Sequence, residues 1–553
     1  MPRLMPEAPI VPPPTFPVAW PDPAMESMFW TWDQVHNPHP ATPLTATFEA
    51  LAMSEGSTTA FQAMAMPMNF LVCQINGYLY NSMQFFEETE TFPPPWWGAV
   101  EAEFTKRVPV LTQTWEQEYL PEVQAANSRL RDTDYATLDT AALLDFIDET
   151  RRERARIWDI HMQVVMPIMG AASRFGEVYE QLLGKGDGAT PYLLLQGHEN
   201  KSVESGKALW QLSRRALAEP SIAKLLAGTP VAELPAALRK SVPAFWEELQ
   251  RYLQEYGWRS DAFELADPAW IEDPSVPLAA LQDMLDAPDD ADPARKEQTC
   301  REERERLVAE ALARLDGNEA KPIFQMLLGV SQQYLPIQEN HNFYIDQMNT
   351  VLLRRPLLDA GRRLAEAGAI AARDDVFYLR YEELRPALEA PQSRDWAALV
   401  ADRRAEREHW SSIVPPRELG TPLPENVRSN PLTAAFFGKK PETSKDPKVI
   451  NGIGASAGTV TATARVVRTL AEVHKLQPGD ILVCEMTMPA WTPLFATVKA
   501  VVADSGGVLS HCAIVAREYR IPCVVGTHVG TQLLKDGQRI TVDGAQGIVR
   551  IED

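Results

Sequence analysis

Over most of the first 440 positions, apolar residues return every third or fourth place. LLDFIDETRRERARIWDIHMQVV (143–165), ESGKALWQLSRRALAE (204–219) and ARKEQTCREERERLVAEALARL (294–315) gather Leu, Ile, Val and Trp on one face and charged side chains on the other. That period predicts amphipathic helices. DPSVP (273–277) and DAPDDADP (286–293) mark breaks between them. Beyond residue 452 the pattern changes to short β-branched runs. GTVTATARVV (458–467), DILVCE (480–485), AVVAD (500–504), CVVGT (523–527) and RITVDG (539–544) predict strands, with LQPGD, KDGQ and DGAQG as turns. SHCAIVAREY (510–519) is the one helical pattern among them. The fold class expected is multidomain: a mainly α-helical domain over 1–438, a linker over 439–451 containing KKPETSKDPK (439–448), and a small α/β domain over 452–553.

Composition sharpens this division. The 553 residues hold 53 Lys and Arg against 75 Asp and Glu, a net charge of −22. Residues 452–553 are charge-neutral, so the whole excess lies upstream, where it is most simply the solvated face of helices. A nucleic-acid protein would carry a basic face, and a membrane-surface protein a polybasic stretch. No apolar run approaches the ~18 residues of a spanning helix, and the first twenty residues lack the apolar core of a signal peptide. Cys73, Cys300, Cys484, Cys512 and Cys523 form no CxxC pair. A cytoplasmic protein with no metal site, no nucleic acid and no membrane is expected.

The chemistry concentrates in DSGGVLSHCAIVAREYRIPCVVG (504–526). A strand ends, Gly506 and Gly507 turn the chain, and a helix opens at Ser510–His511. Paired glycines let backbone N–H groups come close to a ligand. Ser510 suits an N-cap. His511 then lies at a helix N-terminus, where unpaired N–H groups and the dipole favour an anion. A histidine at such a place is more often a capping or packing residue, but this surrounding also suits a phosphoryl group carried on an imidazole.

The stretch is similar to the Gly-Gly-x-x-Ser/Thr-His-x-Ala-Ile-Val-Ala-Arg pattern of the phosphoenolpyruvate-utilising enzymes. GIGASAGTVTATARVV (452–467), TMPAWTPLF (487–495), IPCVVGT and VDGAQGIV extend the likeness. Residues 452–553 thus resemble the family's swivelling phosphohistidine domain. The resemblance implies that His511 carries phosphate through a phosphorus–nitrogen bond, with Gly506, Gly507, Ser510, Thr487 and Arg517 around the phosphoryl group. Cys512 stands where the family commonly has alanine.

YGWRSDAFELADPAWIEDP (256–274), YLPIQENHNFYIDQMNTVLLRR (334–355) and DDVFYLRYEEL (374–384) resemble, in order, the helical substrate domain of rifampin phosphotransferases and of two-chain aryl kinases of the phenylphosphate synthase type. There a basic residue is expected before Glu339 and another three places after it; here the positions are Gln338 and Asn342. The two charges are then either absent or supplied elsewhere, by Arg259 or Arg354. His341 and Glu339 are candidate bases for an acceptor hydroxyl, because one titrates near neutrality and the other is a carboxylate beside it. Asn342, Tyr344 and Arg259 are candidate acceptor-binding residues. His36, His161 and His198 read as structural. The aromatic and methionine-rich stretch from Phe29 to Trp97 reads as core, and would also suit a flat aromatic ligand.

The resemblance implies a dikinase-type phosphotransferase subunit delivering phosphate from His511 to a small phenolic hydroxyl, such as a phenol or a lignin-derived hydroxyphenyl ketone. These residues show a carrier but neither a Gly-rich phosphate loop after a strand nor a barrel that would charge it. A separate ATP-grasp subunit is therefore the expected partner, with ATP and Mg bound there and no cofactor on this chain. Two other readings compete: a relay passing phosphate to another protein, and a non-catalytic scaffold.

Overall fold

The computed structural model describes residues 9–86, 93–184, 190–423 and 444–552. The first five residues of the expected linker motif, 439–443, lie outside the described residues. Packing divides the chain along a different line from composition. One compact unit comprises Met1–Pro167, Ala262–Asp267 and Tyr344–Phe437; the other comprises Ile168–Asp261, Pro268–Phe343 and Gly438–Asp553.

The first unit contains a sheet that helical periodicity did not predict. Strands β1 (Phe29–Trp32), β2 (Met68–Ile75), β3 (Tyr78–Phe85) and β4 (Glu418–Gly420) pair antiparallel in the order β2-β3-β1-β4. The β2–β3 hairpin turns on Asn76 and Gly77, both with positive φ (49° and 81°), as a two-residue hairpin of this hand requires. Phe16, Trp30, Trp32, Tyr78, Tyr80 and Leu419 form the core on this sheet, so most of the aromatic stretch is packing. Each such side chain, fully buried, contributes about 1.5–3 kcal/mol.

The helix α1 (Thr140–Leu183) follows, then α2 (Lys201–Leu217), α3 (Pro243–Tyr256), α4 (Pro293–Arg314) and α5 (Lys321–His341). All three stretches with helical periodicity form them, two running one or two residues past the helix end. α2 is capped by Asn200, whose Oδ1 accepts the N–H groups of Ser202 and Val203 at 3.0 and 3.1 Å.

The C-terminal α/β region belongs to the second unit. Its strands are β5 (Val449–Asn451), β6 (Ile453–Ser456), β7 (Thr459–Val466), β8 (Ile481–Cys484), β9 (Ala500–Ala503), β10 (Cys523–Val525), β11 (Arg539–Asp543) and β12 (Ile548–Ile551). They form one sheet in the order β5-β12-β11-β7-β8-β9-β10-β6. β7 to β10 run parallel at its centre, and the inner three, β8 to β10, are unbroken apolar runs buried on both faces. Ile481, Val483, Val502, Val524, Ile540 and Val542 lie in its core. Helix α6 (His511–Tyr519) joins β9 to β10, in the place its sequence pattern predicts.

Candidate active site

The turn that presents His511 is built from the ends of β8 and β9. The amides of Asp504 and Ser505 bond to the carbonyls of Cys484 and Glu485 (3.0 and 2.9 Å), carrying the ladder one step past the strands. Gly506 then takes φ +102°, and a Cβ there would meet Ser510 Oγ at 2.8 Å, so glycine is required. Ser510 is the N-cap: its hydroxyl donates to the Gly507 carbonyl at 2.8 Å and accepts the Ala513 N–H at 3.4 Å. Arg517, buried two turns on, donates to the carbonyls of Val508 (2.8 Å) and Ala455 (2.9 Å). Its guanidinium therefore braces the turn through backbone oxygens. Thr487 is buried, with a hydroxyl that has no hydrogen-bond partner.

A histidine at a helix start is ordinarily exposed, yet His511 is only 8% exposed. The reason is a carboxylate on α5. His511 Nδ1 lies 3.1 Å from Glu339 Oε2, and its Nε2 lies 3.3 Å from the Thr492 hydroxyl. Glu339 Oε2 also accepts the Ser202 hydroxyl at 2.8 Å, while the buried Oε1 has no hydrogen-bond partner among the described residues. Burial pushes the Glu339 carboxyl upward, but the charge and hydrogen bond of His511, the Ser202 hydroxyl and the charge of His341 outweigh it and hold the group below its ordinary range.

Arg259 is fully buried near this carboxylate, whose charge it feels. Its Nη1 donates to Ser205 at 2.8 Å and its Nη2 to the Lys201 carbonyl at 3.2 Å, both on α2, and its guanidinium lies 4.9 Å from the Phe343 ring centre. His341 is buried with Nδ1 3.3 Å from the Ile337 carbonyl one turn earlier. The Asn342 amide caps α5 on the Glu339 carbonyl. Between α2, α5 and α6 runs a crevice bordered by Asn200, Ser202, Glu339, Thr492, Glu518 and Tyr519, closed too tightly to admit water.

The second unit thus brings together His511, Glu339, Ser510 and the neighbouring Arg259. Tyr344 and Arg354 belong to the first unit. There the Tyr344 carbonyl accepts Asn127 Nδ2 at 2.9 Å, and Arg354 donates to the Leu265 carbonyl. His36 and His161 are also in the first unit, with Nδ1 2.9 Å from Asp33 and 2.8 Å from Asp346. His198 Nε2 lies 2.9 Å from Arg304, and burial together with that cation pushes its pKa down to about 4. Sequence reasoning missed Ser202 and Thr492. Thr492 stood inside the quoted TMPAWTPLF motif, and Ser202 follows a legible N-cap, but neither spacing reveals a partner on another element.

Comparison with known proteins finds relatives for this chain. Residues 161–339 match the rifampicin phosphotransferase fourth domain, and residues 476–547 match the PEP-utilising enzyme mobile domain. Chondramide synthase cmdD of Chondromyces crocatus is 36% identical over 99% of this chain and 14% of its own length. The uncharacterized phosphotransferase YvkC of Bacillus subtilis is 32% identical over 75% of this chain and 51% of its own. Rifampicin phosphotransferase of Streptomyces sviceus is 29% identical over 77% of this chain and 48% of its own. The chain therefore spans about half the length of the latter two relatives.

Proposed function

The chain belongs to the phosphoenolpyruvate-utilising enzyme family, and on that premise we propose that it is a phosphotransferase component that carries a phosphoryl group on His511 and delivers it to a small hydroxyl acceptor. The observation that carries this reading is the buried His511–Glu339 pair, in which one carboxylate oxygen holds the imidazole and the other is unengaged.

Nδ1 of His511 is committed to Glu339, which leaves Nε2, beside the Thr492 hydroxyl, as the nitrogen that takes the phosphoryl group. In transfer, the acceptor oxygen attacks phosphorus as the P–Nε2 bond breaks. The imidazole keeps that electron pair, and the acceptor proton passes to Glu339 Oε1. A phenol, with an ordinary pKa near ~10, needs such a base. Glu339 is a poor base while His511 bears positive charge. A dianionic phosphoryl group replaces that attraction with repulsion and raises the carboxyl toward a range where it can hold a proton. Arg259, behind Ser205, supplies the nearby positive charge that Gln338 and Asn342 do not.

The crevice at Glu339 is closed with α6 in place, so the acceptor enters as the carrier region moves away. The phosphoryl source in this reading is an ATP-grasp module outside these 553 residues, on a separate subunit that binds ATP and Mg. The acceptor class is phenolic. The name of one relative, rifampicin phosphotransferase, makes rifampicin a proper member of the test panel beside simple phenols and hydroxyphenyl ketones.

The experiment is incubation of the chain with β-labelled ATP, with and without an added ATP-grasp protein, followed by the acceptor panel. Acid-labile, base-stable label on His511 should appear only with the added protein and should move to an acceptor. Label on no histidine, or ATP turnover by the chain alone, would refute the reading. Label that passes only to another protein would favour the relay instead.

A further inference from the structure

A second carboxylate grips the carrier region and has no part in the transfer chemistry described above. Asp261 lies five residues beyond the end of α3. Its Oδ2 accepts the backbone N–H of Leu470 at 2.7 Å, and its Oδ1 accepts the indole N–H of Trp491 at 2.7 Å. Leu470 opens the turn Leu470–Lys475 after β7, and Trp491 lies in the turn Pro489–Ala496 after β8. One carboxylate thus pins two loops at the ends of adjacent parallel strands.

The residue after Trp491 is Thr492, whose hydroxyl stands 3.3 Å from His511 Nε2. The Trp491 side chain is 2% exposed, so its indole N–H has no access to water as a substitute partner. Asp261 makes no ion pair with a cation among the described residues; its shifted acidity traces to burial and to these two donors alone. A carboxylate held without a cation adds little net stability, because its desolvation offsets what its hydrogen bonds return. What it does supply is direction, since each oxygen fixes a different loop.

We propose that Asp261 is a positioning residue that sets the carrier region at the orientation in which His511 meets Glu339, with Leu470 and Trp491 as its two points of hold. The proposal rests on the reading of His511 as phosphoryl carrier. An amide in place of the carboxylate keeps the shape but turns an N–H₂ group toward one of two N–H donors. One hold is then lost and His511 loosens from Glu339.

The test uses the full chain with Asp261→Asn and, as a variant that leaves the carboxylate untouched, Trp491→Phe. The first readout needs no phosphate: the rate at which diethyl pyrocarbonate acylates His511, followed by peptide mass, together with hydrogen exchange at the Leu470 amide. Both should rise about tenfold or more in Asp261→Asn and less in Trp491→Phe, with far-ultraviolet circular dichroism unchanged. The second readout is single-turnover transfer after charging His511 with phosphoramidate. Transfer should slow by up to ~100-fold while charging is as fast as in the unsubstituted chain or faster, as expected when a reacting group is misplaced by about an ångström. His511 protection equal to that of the unsubstituted chain overturns the proposal. So does loosened protection with transfer at full rate. Failure of phosphoramidate to label His511 in any form counts against the carrier reading alone, and the acylation and exchange rates still decide what Asp261 holds.

Discussion

With His511 Nδ1 3.1 Å from Glu339, the two side chains form one buried contact, and a change at either is felt by the other. Glu339→Gln should leave charging of His511 intact and slow delivery to the acceptor by ~10²–10⁴-fold, because the amide cannot take the proton. Rapid-quench measurement of label leaving His511 checks this, and an unchanged rate would remove Glu339 as base. His511→Ala should abolish uptake of phosphate without unfolding the C-terminal region, since the Ser510 cap and the Gly506 turn do not depend on the imidazole. It should also weaken the hold of α6 on α5, because Glu339 Oε2 then keeps only Ser202. The candidate carrier, His511, was legible in the sequence from its glycines, its cap and its motif. Its partner was legible only as a candidate: His511 and Glu339 are 172 positions apart and no periodicity joins them.

Helix α6 meets α2 and α4 through contacts that a sequence pattern does not announce. Gly206 of α2 has the phenolic oxygen of Tyr519 where its Cβ would stand, at 2.6 Å, and that buried hydroxyl has no hydrogen-bond partner. Gly206→Ala should therefore cost about 1–3 kcal/mol by overpacking. Tyr519→Phe removes the oxygen and should restore most of the loss, a coupling that urea titration of the two single variants and the double variant measures. One residue earlier, burial pushes the Glu518 carboxyl up to about 7, against the pull of the Gly197 N–H at 2.8 Å and of Arg517. An acid whose pKa is raised in the docked form is stabilised there by protonation. Docking should strengthen as pH falls from about 7 toward 4.5 and lose that support above 7, by at most ~3 kcal/mol. Glu339, held below its ordinary range, keeps its pairing across this window and loses it only at lower pH. Glu518→Gln should flatten the pH dependence seen by hydrogen exchange on α6, and an unaltered profile would assign it to another group. The strands of the C-terminal sheet were readable because parallel, doubly buried strands are continuous β-branched runs between glycine turns. The antiparallel sheet of the first unit was not, since β4 joins β1 from far along the chain, Gly420 against Phe29, and only the Asn76–Gly77 pair marked its hairpin.

For the whole molecule, the proposed carrier role demands that one histidine serve two sites. In the present arrangement His511 faces Glu339 and is nearly closed off from solvent, so a donor cannot reach it without separation of α6 from α2, α4 and α5. A 100-residue region has a radius of gyration near ~13 Å, and its rotation about a linker carries a surface residue by tens of ångströms. Arg520 at the end of α6 and Glu303 of α4 form a partly exposed ion pair at 3.4 Å, which offers a place to lock the docked state. In a Cys73→Ser background the remaining cysteines, Cys300, Cys484, Cys512 and Cys523, are buried. Glu303→Cys with Arg520→Cys can then be joined by a cleavable bis-maleimide about 10 Å long, short enough to forbid full separation. Charged with phosphoramidate before cross-linking, this chain, whose tether lets α6 part far enough for a small acceptor but not for a donor protein, should deliver its phosphoryl group once and then stop. The uncross-linked form, supplied with its ATP-grasp partner, should turn over repeatedly, and cleaving the tether should restore turnover. Sustained turnover at the unmodified rate with the tether intact would show that donor and acceptor both reach His511 in the docked state, and the moving carrier would have to be abandoned for this chain.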